Sequence, residues 1–129
     1  MGYHHIIPAE LDQLDDRPAD VRSITAAAGL DGDEEPLGMR IYEAGPGQQL
    51  PLSYHYHEQR EELFCVQSGS LHVETPESVF VLEADEVFVA EPNSPHRPFN
   101  PLSADQSTVV LGVGAPKTDP ARTYDPARE

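Results

Sequence analysis

Histidine and glutamate side chains cluster in one short stretch of this sequence, which reads HYHEQREELFCVQSG from His55 to Gly69. A single residue separates His55 from His57, and Glu61 and Glu62 follow just before an apolar run. Neutral imidazole and carboxylate groups are ligands that suit divalent transition metals. A surface strand with a polar outer face would contain the same residue types, so this stretch alone leaves both interpretations open.

A strand through this stretch would place the two histidines on one face. Residues two apart in a strand point in the same direction, so His55 and His57 would face one side and Tyr54 and Tyr56 the other. Two imidazoles that face a barrel interior require a metal ion or a hydrogen-bond network, because burial of unpaired polar groups is costly. His96 begins another apolar segment and supplies a further imidazole.

The elements that would position these side chains are short and β-like. Between Leu37 and Ala115, eight segments rich in Val, Leu, Phe and Tyr alternate with turn residues: LGMRIYEA, LSYHYH, ELFCVQ, SLHVET, SVFVLE, EVFVAE, HRPFN and STVVLGVG. This close spacing predicts an all-β antiparallel sandwich or barrel of about eight strands. Apolar residues within these segments are predicted to form the core: Phe64, Val66, Val87, Val89 and Phe99.

The two ends of the chain lack this pattern of short apolar segments. Prolines interrupt any long helix in residues 1–36, which we predict to be an irregular acidic lead-in. Within it, a short strand at Tyr3–Ile7 and a helical turn at Ile24–Leu30 are the candidate elements. Residues 116–129 are polar and proline-rich and are predicted to form an extended tail. The barrel itself would span residues 37–115 of one domain.

The histidine stretch resembles the first motif of the cupin superfamily, G-x5-H-x-H-x3,4-E-x6-G. Four residues lie between His57 and Glu62 and six between Glu62 and Gly69, as in the motif. The opening glycine departs from the pattern, because seven residues separate Gly47 from His55.

The segment DEVFVAEPNSPHRPFN resembles the second cupin motif, G-x5-P-x-G-x2-H-x3-N. His96 and Asn100 have the required spacing. Asp85 and Asn93 stand where the motif has glycines, and Pro92 is one place from the proline position. Asparagine tolerates a positive φ better than most residues, so Asn93 can make the same turn.

The resemblance implies a small single-domain cupin, a double-stranded β-helix or jelly-roll barrel with one divalent metal. Its ligands would be His55, His57, Glu62 and His96, and the metal would be iron, manganese, zinc, nickel or copper. Four protein ligands leave two positions on a six-coordinate ion, which fits Lewis-acid or oxygen chemistry. Cys65 has the opposite strand parity to Glu62 and is excluded from the ligands.

Such a cupin would be a small-molecule metalloenzyme, a dioxygenase or an isomerase, that acts on a small polar metabolite. The alternative is a non-catalytic module that binds or senses a small ligand. No residue beyond the ligands is identified as a catalytic acid or base. Arg40, Arg60 and Arg97 are scarce cations that would bind a substrate anion or form surface ion pairs. A homodimer is expected, because cupin-like proteins often pair through their sheets.

The charge of the chain argues against partners that are themselves anionic. Lys and Arg number 8 against 23 Asp and Glu, for a net charge of −15, and Lys117 is the only lysine. The electrostatic repulsion from this negative charge disfavours binding to nucleic acids and anionic membranes. Dispersed carboxylates with almost no lysine resemble the surfaces of cytoplasmic proteins from salt-loving archaea. A single cysteine, no secretory signal and no apolar run approaching about 18 residues predict a cytoplasmic protein.

Overall fold

The computed structural model describes residues 2–128, which are built mainly of short antiparallel strands. The strands are β1 (Asp20–Ser23), β2 (Gly38–Ala44), β3 (His55–Tyr56), β4 (Glu61–Ser68), β5 (Leu71–Glu74), β6 (Val79–Leu82), β7 (Val87–Ala90), β8 (Arg97–Phe99), β9 (Thr108–Ala115) and β10 (Arg122–Thr123). Helical structure in this part of the chain is limited to α1 (Ile24–Ala27) and to 3₁₀ turns at Pro8–Glu10 and Pro126–Arg128. No helix within residues 2–128 has the length and apolar character needed to cross a membrane.

The strands form two layers. One is a five-stranded antiparallel sheet with the order β1-β2-β9-β4-β7. The other combines the sheets β6-β5-β8 and β10-β3, which the bridge between His55 and His96 joins. All eight predicted segments contain a strand, so the all-β prediction is confirmed.

Alternation along the long strands assigns side chains to the inside or the outside of the barrel. On β4, Glu62, Phe64 and Val66 are buried, while the residues between them are more exposed. Buried side chains of both layers form one core, which includes Leu50, Phe64, Val66, Leu71, Val73, Leu82 and Val110. Glu62 is thus a polar residue on the inner face of β4, next to the apolar core.

Two of the five residues predicted to be core lie on the surface, and Phe99 is only half-buried and packs against His72 and Arg97. Val87 and Val89 are 52% and 53% exposed, because they point outward from β7 at the edge of the five-stranded sheet. They pair with Cys65 and Leu63 on the outer face of β4. The sequence pattern misplaces them because alternation does not say which face of a strand is inside.

The ends of the chain are more ordered than predicted. Asp20–Ser23 forms β1 and pairs with β2, although only one of its four residues, Val21, is buried and the stretch shows no apolar pattern. The predicted helical turn is the short helix α1, where the Ser23 hydroxyl accepts a hydrogen bond from the Ala26 N–H at 3.1 Å. No strand forms at Tyr3–Ile7. In the predicted tail, β10 pairs with β3 next to the histidines.

Candidate metal centre

Three imidazoles converge on one carboxylate oxygen inside the barrel. Oε1 of Glu62 lies 3.2 Å from Nε2 of His57, 3.2 Å from Nε2 of His96 and 3.6 Å from Nε2 of His55. All four residues are at most 9% exposed. Potential ligand atoms of His55, Glu62 and His96 all lie within 4.8 Å of one another. The structure thus brings together all four residues that the motif resemblance proposes as ligands.

Neighbouring strands deliver these side chains to one point. His55 begins β3 and is bridged to His96, which precedes β8, through two backbone hydrogen bonds of 2.9 and 3.4 Å. His57 follows β3, and its carbonyl accepts a 2.7 Å hydrogen bond from the Asn93 N–H. Glu62 comes from β4 in the facing sheet. Cys65 lies on the opposite face of β4, as its parity predicts.

Left-handed backbone conformation occurs at three positions where the two motifs have glycine, Gly69, Asp85 and Asn93, and at Gly47, which is displaced from the first glycine of the motif. The φ angles are 84° at Gly47, 73° at Gly69, 72° at Asp85 and 65° at Asn93. Asp and Asn are the non-glycine residues that best tolerate this region. The two departures from the motif therefore keep its backbone path, and the turn predicted at Asn93 is confirmed.

Backbone carbonyls orient two of the rings. Nδ1 of His55 lies 2.8 Å from the carbonyl oxygen of Ser53, and Nδ1 of His96 lies 2.8 Å from that of Ser94. An Nδ1–H that donates to each carbonyl leaves the lone pair of Nε2 directed at Glu62. If the rings are neutral in this tautomer, their Nε2 lone pairs face the carboxylate oxygen of Glu62, which is also an acceptor. A cation between them would relieve this repulsion.

The pKa values of Glu62 and His55 are both shifted by their surroundings. Burial raises the pKa of Glu62, but contacts with His55, His57 and His96 outweigh burial and hold that pKa well below its usual range. Burial lowers the pKa of His55, but its contacts with Glu62 and the Ser53 carbonyl outweigh this, so the pKa is raised. The carboxylate is therefore ionised at neutral pH, as a metal ligand must be.

The third ring faces a carboxylate from the end of the chain. Oδ2 of Asp119 lies 3.5 Å from Nδ1 of His57. Within the described residues this buried Nδ1 makes no hydrogen bond, so Asp119 is placed close to it without completing one. Buried carboxylates that face the outer nitrogen of a ligating histidine orient the ring and make it more basic.

Two cavities that are lined by cationic side chains open beside the four residues. The Lys117 cavity, of about 400 Å³, is lined by residues that include Thr25, Arg40, Tyr42, Arg60, Glu62, Lys117 and Asp119. The Arg17 cavity, of about 160 Å³, is lined by residues that include Arg17, Arg40, Tyr42, Leu52, His55, His57, Arg60 and Phe64. The volume of the Lys117 cavity lies in the range of small-molecule pockets.

Comparison with known proteins identifies the family. The family model described as a cupin domain matches residues 40–112, which is more than half of the chain. The chain belongs to the cupin family. No functionally curated protein shows significant sequence similarity to this cupin. His55, Glu62 and His96 are thus a group inside a cupin barrel that could hold a metal ion.

Solved structures share the fold of this cupin at low sequence identity. The polyketide cyclase RemF from Streptomyces resistomycificus is 17% identical with a TM-score of 0.77, over 96% of this chain and 87% of that one. KdgF from Halomonas sp. is 17% identical with a TM-score of 0.71, over 91% and 96%. A sugar phosphate isomerase from Silicibacter pomeroyi is 20% identical with a TM-score of 0.71, over 84% and 66%, so this cupin spans less than two thirds of its length. These likenesses confirm the predicted double-stranded β-helix.

Sequence reasoning identified the inner histidines and glutamate but missed much of what surrounds them. Tyr42 and Asp119 were not singled out, and Arg40 and Arg60 were left between a site and a surface role. The local alternation of β2 does not place Tyr42 and Arg40 inside, because the apolar Met39 and Ile41 occupy the other face. Their pairing with Val110 and Gly112 of β9 puts both on the inner face. Asp119 carries no local signal, because its position depends on the path of residues 116–123.

Proposed function

We propose that this cupin binds one divalent transition metal through His55, His57, Glu62 and His96 and is a small-molecule metalloenzyme. The observation that supports this most directly is the convergence of three Nε2 atoms on one oxygen of Glu62. Iron, manganese, zinc, nickel and copper all accept such a nitrogen and oxygen donor set. A bound ion would supply Lewis acidity or an oxygen-binding position there.

Of the predicted reaction types, isomerisation of a small polar metabolite is the one that the cavities support better. Tyr42 and Arg40 line both cavities. Burial raises the pKa of Tyr42, so its hydroxyl remains protonated at neutral pH and can donate to a substrate oxygen. The Arg40 guanidinium would stabilise negative charge that develops on a substrate oxygen. Dioxygenation and non-catalytic ligand binding are the other outcomes of the test.

The test begins with metal content. Purified wild-type protein should contain about one metal ion per chain by elemental analysis. His57→Ala and Glu62→Ala should lose most of it, whereas His72→Ala should retain it, because His72 lies on β5 against Phe99 and away from the cluster. Wild-type protein without stoichiometric metal under metal-replete growth would overturn the proposal.

Activity assays then separate the reaction types. Metal-replete protein should convert a member of a panel of small hydroxy and keto compounds without consuming oxygen. Oxygen uptake with substrate would indicate a dioxygenase instead. Tight binding without turnover of any panel member would favour the non-catalytic module.

We further propose that the protein is a homodimer. The outer face of the sheet β1-β2-β9-β4-β7 presents Leu63, Val87 and Val89, each at least 41% exposed, on adjacent strands. Contiguous exposed apolar residues at a sheet edge are a liability that a second copy would cover.

The setting that we propose is the cytoplasm of a halophilic archaeon. The net charge of −15 and the single lysine support it, because concentrated salt screens the repulsion among carboxylates.

A further inference from the structure

The cationic side chains of this acidic protein are distributed unevenly between ion pairs and the cavities. Carboxylates outnumber lysine and arginine by 23 to 8. Three arginines have close carboxylate partners: Arg22 with Asp20 at 3.0 Å, Arg97 with Glu74 at 2.8 Å and Arg122 with Glu58 at 2.9 Å. None of these three lines the Lys117 cavity or the Arg17 cavity.

Those two cavities are lined by four other cationic side chains, those of Arg17, Arg40, Arg60 and Lys117. Among residues 2–128, no carboxylate oxygen of a described side chain lies within 4.0 Å of the charged nitrogens of Arg17, Arg40 or Lys117. Arg60 reaches a carboxylate only at that limit, 4.0 Å from Oε2 of Glu62. Lys117 donates instead to the backbone carbonyls of Asp31 and Gly32 at 3.0 and 3.1 Å. With so many acids available, cations without a close carboxylate partner are unexpected, and their grouping beside the proposed metal ligands indicates a use for their charge.

Two glycines of β9 make room for Tyr42 and Arg60 inside the barrel. Arg40 and Tyr42 point inward from β2, and Arg40 pairs with Gly112 of β9. A Cβ at Gly112 would lie 2.8 Å from Cε1 of Tyr42, and one at Gly114 would overlap the guanidinium of Arg60. The two inward glycines of β9 thus leave room for the Tyr42 ring and the Arg60 guanidinium.

Arg60 also has unused hydrogen-bonding capacity. One of its terminal nitrogens donates to the carbonyl of Lys117 at 3.2 Å. Its buried Nε makes no hydrogen bond to any described residue. A buried donor without an acceptor is costly, and a guanidinium fits the paired oxygens of a carboxylate or phosphate.

We infer that the cavities beside the proposed metal receive a small oxyanion, a carboxylate or phosphate group held by Arg40 and Arg60. Lys117 on one side and Arg17 on the other attract the anion against the net negative charge of the protein. This inference names the ligand class of the proposed metal site and rests on that proposal for its location. The contacts between the oxyanion and the two arginines do not require a bound metal.

Calorimetric titration tests the inference with malonate, inorganic phosphate and the neutral analogue malonamide, at one fixed ionic strength. Metal-replete and chelator-treated proteins are compared. Malonate or phosphate should bind, and the stronger of the two distinguishes a carboxylate from a phosphate site. Malonamide should bind at least about tenfold more weakly, because it lacks the charge that the arginines recognise.

Variants assign the contacts. Arg40→Gln and Arg60→Gln should each weaken anion binding by about tenfold or more, and Arg40→Lys should weaken it less. Arg122→Gln removes the same charge from an exposed ion pair and should leave binding unchanged. If Arg60→Gln fails to fold, Lys117→Gln is measured in its place and should also weaken anion binding. Affinities that are equal in wild type and both cavity variants, or equal for malonate and malonamide, would overturn the inference.

Metal analysis of the same samples keeps the two proposals apart. If wild type holds metal but its arginines do not affect anion binding, the oxyanion inference alone fails. If wild type holds no metal while the chelator-treated protein still binds malonate through Arg40 and Arg60, only the metal proposal fails.

Discussion

Asp119 places Oδ2 3.5 Å from Nδ1 of His57, so the C-terminal segment supplies a carboxylate to the candidate metal centre. His57 is held on its other side by Glu62, whose Oε1 is 3.2 Å from Nε2. The ring therefore lies between two carboxylates, one of which we propose as a ligand and the other as its orienting partner.

Asp119→Asn should weaken metal affinity by about 10-fold to 100-fold, because the ring loses the charge that favours its ligating form. Competition with a fluorescent chelator measures this. Asp105→Asn, at an exposed residue that lines neither of the two cavities, is the matched control and should not change affinity. An unchanged affinity in Asp119→Asn would show that Asp119 has no role at the metal.

Metal affinity should fall as the pH is lowered from about 8 to about 6. The pKa of His55 is raised, so protons compete with metal for this ring at a higher pH than for an ordinary histidine. Glu62, whose pKa is held well below its usual range, remains ionised throughout and adds no competition. Titrations in buffers of different ionisation enthalpy should detect proton release on metal uptake, and pH-independent affinity would contradict the ligand assignment.

The two inward glycines of β9 should differ in the effect of alanine. Gly114→Ala displaces the flexible end of Arg60, so it should cost less than about 1 kcal/mol of unfolding free energy yet weaken malonate binding. Gly112→Ala meets the Tyr42 ring and should cost about 1–3 kcal/mol. Gly32→Ala, where a Cβ has no atom within 4 Å, is the control for both. Chemical denaturation and calorimetry measure the effects, and equal losses of stability would contradict this division.

Val87→Lys combined with Val89→Lys should convert the proposed dimer to a monomer, because charges on the outer face of β7 would be buried without partners. Light scattering with size-exclusion chromatography measures the mass. The control is Leu102→Lys, at an 84% exposed residue outside the strands. A wild-type protein that is monomeric at all concentrations would contradict the dimer.

Removal of salt should destabilise the fold through repulsion among the carboxylates of a chain with net charge −15. Thermal melts between low and molar potassium chloride measure the effect, with a rise of several degrees expected across the range. Equal melting temperatures at both ends would contradict the halophilic assignment.

Local spacing was sufficient to predict that His55, His57, Glu62 and His96 come together. His55, His57 and Glu62 are close in sequence and share their orientation through strand parity, and His96 has a motif of its own. The strands that carry them also follow from short apolar segments separated by turns.

The surroundings of the site depend on long-range register, which no local pattern contains. Arg40 reaches the cavities because β2 pairs with β9 in one register, with Arg40 opposite Gly112. Asp119 does so because β10, at Arg122–Thr123, pairs with β3 and anchors the end of the chain. Neither pairing has a signal in composition or alternation.

Asp85 and Asn93 have φ angles of 72° and 65° where the cupin motifs have glycine. A search for related sites that requires the letter G at these positions would pass over this chain, although its backbone makes both turns. At these positions the motif encodes a positive φ angle rather than a residue type. A search that accepts any residue able to adopt this φ would find related sites that a search by residue type misses.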